Sequence, residues 1–253
     1  MSDNVRSAYV INGPTRVKSY KGPENQKRWP MTEATRRLSR PRWTGGHDTM
    51  PSSVRAAATE LAHTAHRLGL AATFVPIELP RLILLQRQLD LPDDLLTWYA
   101  TASPADFAVP TPGNDAPLAP GDRLDDALRG YRYHALTNVP LPGWAPAWIV
   151  IGGDPGCPLI VHAAASHDPA VYYGAPSHGT YCLTPLSADL DGFLRGVSAY
   201  LDLYLGRFAG AVLTTDDALN ADLRSAFTAA LDARPSTAGR APTWLRAWLA
   251  IDF

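Results

Sequence analysis

The chain has little cysteine and no long apolar run, and both absences narrow the class of protein. It contains two cysteines, Cys157 and Cys182, in 253 residues, too few for a disulfide framework. No segment approaches the about 20 apolar residues that span a membrane, and the N-terminus lacks the apolar core of a signal peptide. We therefore expect a cytoplasmic protein whose cysteines are small side chains buried in or beside strands.

The sequence also lacks any motif that organises polar residues into a catalytic or metal centre. A nucleophile elbow, a Walker loop and paired zinc ligands are all missing. The run Gly152–Gly156 is too short and too interrupted by Pro155 to hold phosphate, and it predicts a hairpin turn. His63 and His66 lack the acidic residue and the spacing of a zinc-protease helix. We expect a protein without catalysis, cofactor or metal.

One grouping of residues keeps a hydrolase hypothesis open. His162, His167 and His178 fall at predicted strand ends or turns, as do Asp154 and Asp168. Brought to one edge of a sheet, they could hold a metal ion or activate a nucleophile. Their spacing does not require such a convergence, and histidines at strand ends are common.

Lysine is scarce, and charge is unevenly distributed along the chain. All three lysines lie in residues 1–50, which carry ten basic and four acidic residues, whereas the remainder carries 13 basic and 20 acidic residues. The acidic excess is concentrated between Asp90 and Asp126, where eight aspartates accompany a single arginine, Arg123. Charge separated in this way influences which partners a protein attracts and how fast they meet.

Residues 1–50 show no sustained hydrophobic period, because prolines and glycines interrupt every candidate helix or strand. We expect a basic, poorly ordered N-terminal extension. Two alternatives stay open. The extension could bind nucleic acid through its positive charge, or translation could begin at Met31 or Met50. We expect a second domain, with an α+β fold, over residues 51–253, including the C-terminal helices.

Hydrophobic periodicity beyond Met50 predicts several helices. Apolar residues at helical spacing predict helices over 54–68, 80–89, 218–231 and 243–251, and a shorter one over 122–129. Pro92 suits the first turn of a further helix, whose buried side would include Trp98. The strongest pattern begins with Ser187 as N-cap and continues to Leu205. Residues 103–121 predict a long polar, proline-rich loop.

Four short apolar runs between these helices predict strands, at 148–151, 159–162, 171–173 and 181–184. Their spacing is too short for the crossover that parallel strands need, so we expect an antiparallel meander. The predicted fold class is α+β, with a meander sheet flanked by helices.

The order of these motifs resembles the SUKH superfamily, over roughly Ser52 to Leu205. The segment Leu91–Tyr99 resembles the Leu-Pro entry to a helix in that family. The runs 148–152, 158–161 and 170–173, followed by Ser187, Leu190, Phe193 and Leu194, resemble its successive strands and final helix. The chain departs from the family at His162, where an acidic residue is usual, and at Ala170, where proline is usual.

The SUKH superfamily includes bacterial immunity proteins and the fungal cell-wall assembly regulator. The resemblance implies an α+β fold without known catalytic residues, and a cytoplasmic immunity protein whose partner is a cognate toxin domain, nuclease toxins included. We expect no membrane partner, and no nucleic acid outside residues 1–50. Acidic side chains would steer the toxin and aromatic side chains would anchor it. The steering candidates are Asp93, Asp94, Asp106, Asp122, Asp125 and Asp126, and the anchor candidates are Trp98, Tyr131 and Trp144.

The alternative hypothesis is an interaction or scaffold module in cell-envelope or signalling assemblies, analogous to the fungal members of the superfamily. Its partner would not be a toxin. The basic residues 1–50 could then act as a tether to an acidic protein, a lipid or a nucleic acid.

Overall fold

The described elements lie in residues 53–249 of a computed structural model, apart from 113, 155, 164–169, 178–179, 213 and 215–218. The predicted extension, residues 1–50, lies outside the described residues. The helices are α1 (Ser53–Arg67), α2 (Leu79–Leu89), α3 (Asp93–Ala102), α4 (Leu124–Ala127), α5 (Leu190–Leu201), α6 (Ala221–Asp232) and α7 (Ala241–Leu249). The strands are β1 (Thr73–Phe74), β2 (Pro104–Asp106), β3 (Ala108–Val109), β4 (Ala116–Pro117), β5 (Trp148–Asp154), β6 (Cys157–His162), β7 (Val171–Ser177) and β8 (Thr180–Ser187).

The main sheet has four antiparallel strands in the order β5-β6-β7-β8, which confirms the predicted meander and the α+β class. Each strand extends beyond its predicted apolar run. In β5, Gly152, Gly153 and Asp154 remain paired with β6. β8 is an edge strand of this sheet, and Pro185 lies in it opposite Tyr172. The hairpin turn predicted between β5 and β6 is therefore shorter than the run of glycines suggested.

Helices cover one face of the sheet. Ile149, Leu159 and Val161 alternate with residues of the opposite face and join the main core, to which α1 and α5 also contribute their buried side chains. α1 packs between α3 and α5, so the helical layer is held by apolar side chains at the spacing that the sequence predicted. Among the described residues, no helix combines the length and the apolar character that a membrane crossing requires.

The N-terminus of α5 corrects one prediction. The N-cap is Asp189, whose carboxylate accepts a hydrogen bond from the Gly192 amide at 2.7 Å. Ser187 is the last residue of β8, and its hydroxyl donates to the Ser236 carbonyl at 3.4 Å. Serine and aspartate both favour the N-cap position. Because β8 continues to Ser187, the helix begins after it and Asp189 is the N-cap.

The C-terminal helices are locked to the sheet and to α5 by Trp244. Its indole N–H donates to the Leu186 carbonyl at 2.8 Å, and its ring lies against Gly196 of α5. A Cβ at position 196 would come within 2.6 Å of that ring, so the close approach needs glycine there. The helix predicted over 243–251 is observed as α7, and residues 250–251 lie outside the described part.

The region 103–121, predicted as a polar loop, instead contains three short strands. β2 pairs with β1, and β3 pairs with β4. Phe107, Val109 and Leu118 are buried in the core. The prediction was wrong because strands of two or three residues are too short to show an alternating pattern.

The buried tyrosines make the fold sensitive to alkaline pH. Complete burial raises the pKa of Tyr99 far above its ordinary value of 10.0. In the unfolded chain the phenol loses its proton near pH 10, whereas the folded protein retains it. Folding stability is therefore complete below pH 10 and falls as pH rises, by up to about 1.4 kcal/mol per pH unit for one such tyrosine.

We expect the variant Tyr99→Phe to show a shallower decline in the free energy of unfolding between pH 9 and 12, measured by urea titration. The variant keeps the ring and loses a long hydrogen bond to the Ala119 carbonyl at 3.4 Å. Equal slopes for the two proteins would show that Tyr99 does not control this pH dependence.

Candidate protein-binding site

The face of the sheet that points away from the helices is also apolar, and the segment 128–148 covers it. Val150 and Ile160 are paired on this face and are buried outside the main core. Leu128 is buried at the start of the covering segment. The Thr180 hydroxyl donates to the Gly143 carbonyl at 3.4 Å, which fixes the far end of the segment against β8. We call this side of the sheet the outer face.

Four aromatic residues from this segment and the sheet form one cluster, the aromatic cluster: Tyr131, Trp144, Trp148 and Tyr181. The Trp144 ring lies 5.6 Å from Tyr131, 5.3 Å from Trp148 and 5.6 Å from Tyr181, measured between ring centroids. The contacts with Trp148 and Tyr181 are edge-to-face, at 85°, a geometry that aromatic quadrupoles favour. All four side chains are partly exposed.

Hydrogen bonds fix two of these rings. The Trp144 indole N–H donates to the Trp148 carbonyl at 3.1 Å. The Tyr131 hydroxyl accepts from the Gly156 amide at 3.3 Å, which ties the ring to the turn between β5 and β6. Rings held in this way lose little conformational entropy when a partner binds.

The aromatic cluster borders an open pocket of about 470 Å³. Its walls include Tyr131, Leu141, Pro142, Trp144, Pro176 and Tyr181. Among the described residues that line it, none carries a formal charge. Such a pocket suits an uncharged, apolar group.

A second pocket, of about 340 Å³, shares Tyr131 with the first and lies beside α4. Arg123 and Asp126 belong to its rim. Asp122, Asp125 and Asp126 are all exposed here, and Asp126 lies 3.4 Å from Arg129 in a solvent-exposed ion pair. The structure therefore places one predicted steering residue, Asp126, in a pocket wall with one predicted anchor, Tyr131. Tyr131 in turn contacts the second predicted anchor, Trp144.

Burial raises the pKa of the Tyr131 phenol, and nearby Cys157 and Asp154 act in the same direction, while the Gly156 hydrogen bond opposes them. Burial also raises the pKa of Tyr181, with Tyr131 and Cys157 as smaller causes. Both phenols therefore keep their protons at neutral pH. They offer a partner O–H groups rather than negative charge.

The other predicted site residues do not line either pocket, and burial excludes one of them from any surface. Trp98 is 0% exposed and stacks on Tyr99 at 4.9 Å, so it belongs to the core and cannot anchor a partner. Asp93 and Asp94 lie in the first turn of α3. Asp106 is exposed at the end of β2.

The histidine grouping behind the hydrolase hypothesis falls mostly outside the described residues, which exclude His167, Asp168 and His178. His162 ends β6, and its Nδ1 is buried without a hydrogen-bond partner in the described part of the chain. His63 and His66 are exposed on α1. In the ranges that the structure describes, no three His, Cys, Asp or Glu residues are grouped so that they could hold a metal ion.

Sequence reasoning missed Tyr181 and Trp148 as members of the site. Tyr181 lies 37 residues beyond Trp144, and only the pairing of β7 with β8 brings it back to the segment 128–148. An available signal was the alternation in β8, which places Tyr181 and Leu183 on one face of the sheet.

We expect the variant Tyr131→Phe to keep the aromatic cluster and to free the Gly156 amide. Loss of this hydrogen bond should lower the free energy of unfolding by up to about 1 kcal/mol. Hydrogen exchange at the Gly156 amide, followed by NMR, should become faster. Tyr133→Phe, a neighbour whose ring lies against Arg132, is the control. An unchanged exchange rate of the Gly156 amide in Tyr131→Phe would contradict the hydrogen bond between this amide and the Tyr131 hydroxyl.

Comparison with protein-family models and with curated protein sequences found no match to this chain. The geometry of the site is that of a rigid aromatic pocket with an acidic helix at its side.

Proposed function

We propose that this chain is a cytoplasmic immunity protein in bacterial competition. It binds a cognate toxin domain, made by the same or a neighbouring cell, and blocks it by covering its surface, without catalysis. The observation that carries the proposal is the position of Tyr131 and Trp144 in one pocket wall beside the exposed carboxylates of α4. The SUKH-like order of motifs supports the same function.

The acidic side chains would control how fast the complex forms. Asp122, Asp125 and Asp126 are exposed within a single helical turn and its approach. A toxin that acts on nucleic acid carries a basic substrate groove. Opposite charges raise the association rate of two proteins more than they raise final affinity.

The aromatic cluster would control how long the complex lasts. Tyr and Trp side chains in preformed pockets contribute much of the binding free energy at protein interfaces. Trp144 is already oriented by its hydrogen bond to the Trp148 carbonyl. An apolar side chain of the toxin that entered the 470 Å³ pocket would exclude water from both rings.

One observation favours the alternative function, a scaffold module. α2 and the residues before it expose a second set of large apolar side chains, distant in sequence from the pocket: Val75, Leu79, Ile83 and Leu84. Two separate apolar surfaces would let one chain hold two partners. A scaffold would bind a protein that is not a toxin and would not rescue growth.

We expect reversal of three charges on α4 and its approach, Asp122→Arg with Asp125→Arg and Asp126→Arg, to slow association with the toxin domain encoded beside this chain. At low salt the association rate should fall by about tenfold or more, while the dissociation rate changes little. Stopped-flow or surface-binding kinetics at several salt concentrations would measure both rates.

Asp222→Arg controls for charge reversal at an exposed aspartate elsewhere, because Asp222 lies on α6 in the helical layer, and it is compared with each single reversal on α4. Equal association rates for the triple variant and the wild type would remove α4 from the interface. Continued killing by the toxin in cells that make the folded wild-type protein, with no complex on co-purification, would reject the immunity function.

We expect Trp144→Ala to raise the dissociation rate by about 30-fold, corresponding to a loss of about 2 kcal/mol. Trp144→Phe keeps an aromatic ring in the pocket wall and should retain most of the affinity. Circular dichroism would verify that both variants fold. Dissociation rates equal to that of the wild type would show that the partner does not use the pocket.

A further inference from the structure

A short hairpin, residues 130–141, projects from the segment that covers the outer face. The Leu141 amide donates to the Arg132 carbonyl at 2.9 Å, and the His134 amide donates to the Val139 carbonyl at 2.8 Å. Its base, Tyr131 and Leu141, belongs to the wall of the larger pocket. The hairpin is therefore continuous with the proposed binding surface.

The tip of the hairpin is held in one conformation by a side chain. His134 Nδ1 accepts hydrogen bonds from the amides of Leu136 and Thr137, at 3.3 and 3.2 Å. Asn138 takes a left-handed conformation, with φ of 54°, and its amide donates to the His134 carbonyl at 2.9 Å. Asparagine tolerates this conformation better than most residues.

This ordered tip exposes the two most accessible large apolar side chains in the described part of the chain. Leu136 is 91% exposed and Val139 is 57% exposed. Single exposed apolar residues are normal on protein surfaces, whereas a preformed apolar tip next to an aromatic pocket is typical of an interaction site.

The charge of the hairpin is opposite to that of α4. No acidic residue occurs from position 127 to position 153. The guanidinium of Arg132 lies over the Tyr133 ring, 5.3 Å from its centroid, and Arg132 is partly exposed. The proposed interface thus has a negative part at α4 and a positive part at the hairpin.

We propose that the hairpin enters a cleft of the toxin that has an apolar floor and a rim of carboxylates. This inference rests on the proposed function and adds which part of the partner is occupied. Leu136 and Val139 meet the floor, and Arg132 meets the rim. The partner's surface is then dipolar, with basic residues facing α4 and acidic residues facing Arg132.

An anionic membrane is a poorer occupant than a protein cleft. Such a surface would attract Arg132 but repel Asp126, which shares a pocket wall with Tyr131 at the base of the hairpin, and the exposed Asp122 and Asp125 of the same short helical region. Two apolar side chains alone bind a bilayer weakly. A protein surface can match both signs of charge at once.

The test uses the full chain and the toxin domain encoded beside it, with Kd measured for Leu136→Asp, Val139→Asp and Arg132→Glu. We expect the two aspartate variants to raise Kd by about 30-fold or more. Arg132→Glu should raise Kd at low salt and less at high salt. Val75→Asp is the matched control, since Val75 is 51% exposed on the other apolar surface, and it should bind as the wild type does.

The outcomes separate this inference from the proposed function. Unchanged affinity of Leu136→Asp and Val139→Asp, with tight binding by the wild type, would overturn the hairpin's role and leave the immunity function standing. Absence of any wild-type complex would overturn both. Sedimentation with vesicles of phosphatidylserine and phosphatidylcholine tests whether the hairpin binds a membrane. If the wild type binds these vesicles and Val139→Asp does not, the partner of the hairpin is a lipid surface and not a protein cleft.

Discussion

The arrangement of the molecule depends on a sheet that is apolar on both faces and has helices on one. Ile149, Leu159 and Val161 share the main core with the buried side chains of α1 and α5. Val150 and Ile160, on the outer face, would be left in water without a second cover. Burial of such side chains is worth about 1.5–3 kcal/mol each, so the segment 128–148 is drawn onto them.

That cover explains why the site is where it is. The segment has no regular strand or helix after α4, and it fills the outer face with large aromatic rings rather than with an aliphatic layer. The four rings of the aromatic cluster are partly buried and partly exposed, and none of them is a buried member of the main core. They can therefore form a binding surface without removing side chains from that core. The pocket and the hairpin are both consequences of how the outer face is closed.

Much of the fold could be predicted from the sequence, because it depends on strong local patterns. α1 and α5 have long apolar periods, and the four strands of the main sheet are β-branched or aromatic runs between turn residues. Local pattern could not assign Trp98, since an aromatic residue on an apolar helix face can belong equally to a core or to an interface. It also failed for β2, β3 and β4, which are set by tertiary pairing.

The site was only partly predictable, for a related reason. Tyr131 and Trp144 could be singled out as large aromatic residues in turn-rich sequence, but their neighbour Tyr181 comes from a distant strand. The acidic excess was visible as composition, yet the fold distributes it over different elements: Asp93 and Asp94 lie in the first turn of α3, and Asp125 and Asp126 lie in α4. Composition gives the amount of charge, and only the packing of the elements decides which charges share a surface.

Pro185 has a consequence for the solubility of the chain. An open strand edge can act as a template onto which another chain adds, and repeated addition leads to fibrils. Pro185 has no N–H to give an incoming strand, and the adjacent Leu186 carbonyl is already occupied by the Trp244 indole. The exposed edge of β8 is thereby limited to the part nearest the pocket, so the sheet can present a binding surface without inviting self-association along its whole length.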